Sequence, residues 1–166
     1  MATFRELAAD TAPAGMLFDI AHQLVWYESD GFTEHLERLS REARLVFVLW
    51  NFDNEIHNGG FDQFFFNSLG DQCEEILGYL DEVGAENCHR MLRSAMSQFP
   101  GGEVPADRLK RQEVLLKITE SKSVSDAFNA LDGEFYRYED GLSDLLEEFI
   151  RKHPDVTVEN LDASGK

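Results

Sequence analysis

The sequence predicts an all-α fold, a single compact domain of about six or seven helices. Three observations lead there. Apolar residues recur at three- and four-residue spacing along nearly the whole chain. No stretch alternates apolar and polar residues over strand length, and only four prolines interrupt the pattern. The 166 residues are 43% hydrophobic and include 13 Phe, enough to build a core at this length. The domain is expected to occupy residues 1–154, with 155–166 a disordered polar tail.

The first predicted helix runs from about Ala14 to Tyr27, with Leu17, Ile20, Leu24 and Tyr27 on one side and Asp30-Gly31 as punctuation. A second begins at Thr33 or Ser40 and reaches Glu55. Its segment Ala43 to Trp50 is apolar on more than one face, which marks a buried central helix. Asn58-Gly59-Gly60 is expected to end it through a left-handed residue. A short aromatic segment follows, Phe61 to Asn67. Asp71 with Glu74 three residues on resembles a capping box, opening a helix striped by Cys73, Ile76, Leu77, Leu80 and Val83 and closed by Gly84. Ala85 to Phe99 forms the next, stopped by Pro100-Gly101-Gly102, and a mixed-charge helix spans Ala106 to Ile118. Phe128, Leu131, Phe135, Tyr138, Leu142, Leu145 and Phe149 then step at heptad-like intervals. Asp140-Gly141 predicts a break there into two helices, and Pro154 ends the second.

Charge excludes whole classes of partner. There are 32 Asp and Glu against 15 Lys and Arg, a formal net charge of −17. Such a field repels phosphate backbones and anionic lipid surfaces, so neither nucleic acid nor membrane is expected as a direct partner. A basic protein partner is compatible with it. The acids are concentrated: Leu45 to His89 holds nine Asp or Glu and no Lys or Arg, and Asp126 to Glu148 holds eight against Arg137 alone. The N-terminal Met-Ala-Thr-Phe-Arg-Glu-Leu lacks the regions of a signal peptide. With only Cys73 and Cys88 as thiols, a reduced cytoplasmic protein is expected.

Catalytic chemistry finds little support. No nucleophile elbow occurs, and both cysteines fall on apolar stripes, where free Cys is core material. His22, His35, His57, His89 and His153 are scattered, and Glu86-x-x-His89 occurs once where a di-metal bundle needs it twice. Asp53, Glu55 and His57 cluster in sequence, but residues two apart on a helix point away from each other. Asn58-Gly59-Gly60 lacks the Lys-Ser/Thr of a phosphate cradle. No cofactor and no metal is expected. Gln63 and Asn67 read as backbone-capping or turn-bridging groups, and Phe61, Phe64, Phe65 and Phe66 with Trp50 and Phe52 as core.

The run Asp53-Asn54-Glu55-Ile56-His57-Asn58-Gly59-Gly60-Phe61-Asp62-Gln63-Phe64-Phe65-Phe66-Asn67-Ser68 resembles the signature of a bacterial DNA-mimic protein family. The similarity continues through Val83-Gly84-Ala85, Phe99-Pro100, Leu131 to Tyr136 and Phe149 to Pro154, covering roughly residues 40–155. The resemblance implies an all-helical homodimer whose acidic surface imitates duplex DNA and occupies the DNA-binding face of a transcription regulator. It implies that Asn58, Gly59, Gly60, Phe61, Gln63, Phe64, Phe65 and Asn67 mark the fold rather than the activity.

Helical carboxylates at i and i+3 or i+4 lie about 5–6 Å apart at Cβ, and duplex DNA carries a charge per about 1.7 Å of axis. Two sets of acids suit such a row. One is Asp71, Glu74, Glu75, Asp81 and Glu82; the other is Asp132, Glu134, Glu139, Asp140, Asp144, Glu147 and Glu148. The leading expectation is a non-catalytic inhibitor that occludes the nucleic-acid-binding face of a basic protein. One alternative is an immunity protein that neutralises a toxin such as a nuclease. Another is a metal-dependent enzyme using residues 53–67.

Overall fold

The fold was analysed in a computed structural model, which describes residues 2–9, 20, 32–137 and 139–158. The helix expected over Ala14–Tyr27, with Asp30-Gly31 and His22, lies outside the described residues except for Ile20, which is helical and buried. Tyr138 and residues 159–166 also lie outside them.

Eight α-helices are present among the described residues: α1 (Phe4–Ala9), α2 (Phe32–Arg38), α3 (Arg41–Phe66), α4 (Cys73–Val83), α5 (Glu86–Met96), α6 (Arg108–Thr119), α7 (Lys122–Phe135) and α8 (Leu142–Lys152). Short 3₁₀ turns cover Ser68–Gln72 and Pro100–Gly102. The all-α class is as predicted. Contacts divide the chain into two compact units, Met1–Trp50 with Ser143–Lys166, and Asn51–Leu142. The boundary falls inside α3.

In the first unit, Ala2–Thr3 (β1) pairs antiparallel with Thr157–Val158 (β2), in register Ala2 to Val158 and Thr3 to Thr157. Val158 is buried. The Phe4 and Arg5 N–H groups donate to Val156 and Pro154 carbonyls, both at 2.9 Å. Thr3-Phe4-Arg5-Glu6 is a capping box that sequence inspection passed over. Thr3 Oγ1 accepts the Glu6 N–H at 3.2 Å, and Glu6 Oε2 accepts the Thr3 N–H at 2.8 Å. Ser40 Oγ accepts the Ala43 N–H at 3.3 Å and so opens α3. Leu45 through Leu49 are all buried, as expected of a central helix. In α8 the buried set is Leu142, Leu146, Phe149 and Ile150. Leu145, expected on the stripe, is half-buried. Gly141, with φ +58°, sits in the break before α8.

In the second unit the glycine pair behaves differently from expectation. Gly59 (φ −159°, ψ 20°) and Gly60 (φ 71°, ψ −171°) break the helical dihedrals, but the chain re-enters the helix at once. The aromatic segment Phe61–Phe66 is therefore the second arm of a kinked helix. The kink throws Phe61, Phe64 and Phe65 into the core. Phe52 meets Phe64 edge-on at 5.2 Å and Phe135 at 5.7 Å, and Phe65 meets Phe99 at 4.8 Å. Each such pair adds about 0.5–1.5 kcal/mol beyond the area it buries. Gly84 closes α4 with φ +78°, and the Ala85 N–H then reaches the Leu80 carbonyl at 2.9 Å. Asp71 does not cap α4 as expected: it lies inside the 3₁₀ turn, and α4 starts after Gln72.

Candidate partner-binding surface

The signature residues build the scaffold of the second unit. Glu55 Oε2 accepts the side-chain amides of Gln63 at 2.7 Å and Asn67 at 2.9 Å, tying the two arms of α3 together across the kink. The phenylalanines fill the core. Beyond the kink, the Phe61 N–H donates to Asp132 Oδ1 of α7 at 2.9 Å. The C-terminal end of α3 leaves unpaired carbonyls, as every helix end does. Side chains of α6 take them up. Arg111 Nε donates to Phe65 O at 2.6 Å, Nη2 to Asn67 O at 2.8 Å, and Nη1 to Pro105 O and Ala106 O at 2.9 and 3.2 Å. Gln112 donates to Phe66 O at 2.8 Å. The Arg111 side chain is 0% exposed, and Asp71 Oδ1 stands 2.6 Å from its Nη2 as counter-charge.

Three carboxylates expected on an acidic surface thus work inside the fold. Asp71 neutralises Arg111. Asp132 is half-buried against the kink, and burial, despite the Phe61 N–H and with a smaller push from Asp62, raises its pKa. Asp140 caps α5 from outside. Ala85, at the N-cap, has no side-chain acceptor to offer, and Asp140 accepts the Cys88 N–H at 2.6 Å and the Asn87 amide at 2.7 Å. Burial alone would raise the Asp140 carboxyl, but these donors outweigh it and hold it below its ordinary value.

The other acids are distributed helix by helix. On α4, Glu74, Asp81 and Glu82 are exposed, and Glu75 is half-buried with the Tyr79 hydroxyl donating to it at 2.7 Å. Asp81 lies 3.6 Å from His89. On α7, Glu134 pairs with Arg90, which lowers its pKa. Glu139 is exposed, 3.5 Å from Arg137. On α8, Asp144 and Glu148 are exposed and Glu147 is half-buried, and Glu148 pairs with Lys152 at 2.7 Å.

The residues weighed for metal chemistry are occupied otherwise. The Glu55 carboxylate holds two amides, and His57 Nδ1 lies 2.9 Å from the Asp53 carbonyl. Among the described residues no group of three or more His, Cys, Asp or Glu is placed to hold a metal ion. Burial pushes the Cys73 thiol up to about 12, and Cys88 is raised further by burial and by Asp140. Both stay neutral near pH 7 and offer no thiolate nucleophile. Among the described residues no helix is long and apolar enough to cross a membrane.

The class defined by this fold is an all-helical protein with carboxylate-bearing helix faces on an aromatic core. Residues 37–153 match the family model of DMP19-like proteins. The chain belongs to that family, the DNA-mimic family that its Asp53–Ser68 run resembles. No curated protein and no solved structure matches it.

Proposed function

We propose that the protein is a non-catalytic, cytoplasmic inhibitor that presents carboxylates in place of DNA phosphates and occupies the nucleic-acid-binding face of a basic protein such as a transcription regulator. The observation that carries this reading is α4. Its 11 residues hold Glu74, Glu75, Asp81 and Glu82 and no Lys or Arg. At 1.5 Å per residue the helix is about 16 Å long, so it carries on the order of one charge per 4 Å. A single DNA strand carries one per about 3.4 Å. The density of one helix thus approaches that of one strand, and Glu74, Asp81 and Glu82 share a face at i, i+7 and i+8.

The test uses a DNA-binding partner captured at low ionic strength. The protein should displace that partner from its DNA, with an affinity that falls as salt rises. A triple variant, Glu74→Gln, Asp81→Asn and Glu82→Gln, should weaken binding about tenfold or more, which is 1.4 kcal/mol or more. Its folding stability should stay within about 1 kcal/mol, since exposed substitutions rarely cost more than about 0.5 each. Unchanged affinity and salt slope in the triple variant would remove α4 from the reading.

A homodimer is part of the same proposal, supported by α6. Leu109 and Leu116 are 77% and 61% exposed, seven residues apart on one face, and Phe66, 41% exposed, stands at the α3 end whose carbonyl Gln112 of α6 binds. From Arg108 to Lys122 the chain holds five Lys or Arg against two acids. Two copies of a −17 chain repel through their acidic faces. They can approach where charge is balanced and apolar area is on offer. Leu116→Glu is expected to halve the mass seen by light scattering, and a wild-type monomer would refute the assignment.

A further inference from the structure

We propose that Asn58 is a modification site, at which the chain converts its own asparagine to aspartate and isoaspartate without an enzyme. Asn58-Gly59 is the one Asn-Gly pair in the sequence. In the reaction the Gly59 backbone nitrogen attacks Asn58 Cγ. A C–N bond forms and closes a five-membered imide, the Cγ–Nδ2 bond breaks, and Nδ2 leaves as ammonia with the proton given up by the Gly59 amide. Water then adds at one of the two ring carbonyls. Opening one way yields aspartate; opening the other yields isoaspartate, with the main chain running through the former side-chain methylene.

Three features favour the step at this position. Gly59 has no Cβ to obstruct its nitrogen, and both residues are exposed to the water the second stage needs. Ring closure requires Asn58 ψ to leave its helical setting, and the non-helical Gly59 and Gly60 interrupt the helix directly after it, so that rotation disturbs no continuous helix beyond. The Asn58 side-chain amide has no hydrogen-bond partner among the described residues. Other side-chain amides of this unit are held: Gln63 and Asn67 on Glu55, and Asn87 on Asp140. The isoaspartyl product is not neutral to the fold. It adds a carboxylate four residues before Asp62. In the isoaspartyl form it also lengthens the backbone by one carbon just before the kink, where the Phe61 N–H must stay aimed at Asp132.

The test is to hold the purified full chain at mildly alkaline pH and physiological temperature and follow it by peptide mass mapping, with isoaspartyl-specific methylation as a second readout. Asn58 is expected to convert several-fold faster than Asn67 or Asn87, and Asn58→Gln to abolish the methylation signal in the peptide that carries residue 58, leaving any signal from the Asp-Gly pairs in place. The isoaspartyl fraction should melt below the unmodified protein, whereas Asn58→Asp, with the charge but the normal backbone, should melt with it. Conversion at Asn58 in the urea-unfolded chain but not in the folded one would overturn the proposal, as would conversion no faster than at Asn67 or Asn87.

Discussion

Replacing Arg111 by Met is expected to cost about 3–5 kcal/mol of folding stability, read as a lower urea midpoint at unchanged slope. The side chain is fully buried and donates to four backbone carbonyls from two segments, the α3 end and Pro105–Ala106. Removing it leaves those carbonyls and the Asp71 carboxylate unsatisfied. Whether ion pair or carbonyls dominate can be decided. A buried ion pair replaced on both sides by uncharged groups is often neutral. The double variant Arg111→Met, Asp71→Asn should therefore recover if the pair alone matters. It is expected to remain at least about 2 kcal/mol below wild type, because the orphaned carbonyls persist. Arg111→Lys should not rescue either, since an ammonium cannot reproduce the planar fork that reaches carbonyls on several sides. Gly70 fits the same picture: a Cβ there would lie 2.7 Å from Arg111 Nε and 3.1 Å from the Phe64 carbonyl. An Arg111→Met variant within about 1 kcal/mol of wild type would show that this cluster does not anchor the unit.

Arg111 also shows where sequence reading stops. Periodicity placed α4, α5, α6 and α8 to within a few residues, and Gly84, Pro100 and Asp140-Gly141 marked real boundaries, because each is a local property of the chain. A charge on a mixed-charge helix has no local signature of burial. Arg111 and Arg108 look alike in the sequence, yet one is fully buried and the other exposed. The same holds for the acids. Asp140 and Glu139 are adjacent, and only the fold decides that one caps α5 while the other faces solvent. Glu55 stands beside Asp53 and His57 in the sequence as part of a cluster of candidate metal ligands. Its partners, Gln63 and Asn67, are eight and twelve residues away across a kink that helical geometry alone would not bring together. The kink itself was half legible. Asn58-Gly59-Gly60 announced a departure from helical dihedrals, but a C-cap and a kink share that signature. The difference lies in Asp132, 71 residues from Phe61, which accepts the first N–H of the second arm.

That geometry makes Gly60→Ala the second large effect, with an expected loss of at least about 2 kcal/mol. Gly60 has φ 71° and ψ −171°, a region essentially closed to residues with a Cβ, where occupancy costs about 1–3 kcal/mol. A Cβ placed there would also lie 2.2 Å from Asp132 Oδ2. Asp132 must then withdraw, and the Phe61 N–H loses its acceptor, at about 1–3 kcal/mol for a buried donor. The neighbouring glycine supplies the contrast. Gly59 has φ −159°, outside the left-handed region, and a Cβ there would meet Gln63, its Oε1 at 2.3 Å and its Cβ at 2.8 Å. Gly59→Ala should therefore cost about 1–3 kcal/mol, through the displaced Gln63–Glu55 bond and the shift of the second arm that the Gln63 Cβ contact forces, with no left-handed strain added. A double-mutant cycle separates strain from clash. Asp132→Ala removes the colliding carboxylate, so Gly60→Ala in that background should cost less than in wild type, by a coupling of about 0.5–3 kcal/mol. What survives in the double variant is the backbone strain alone. Strict additivity would mean that Asp132 does not press against the kink, and a Gly60→Ala single variant within about 1 kcal/mol of wild type would mean that the helix does not turn there through a left-handed residue.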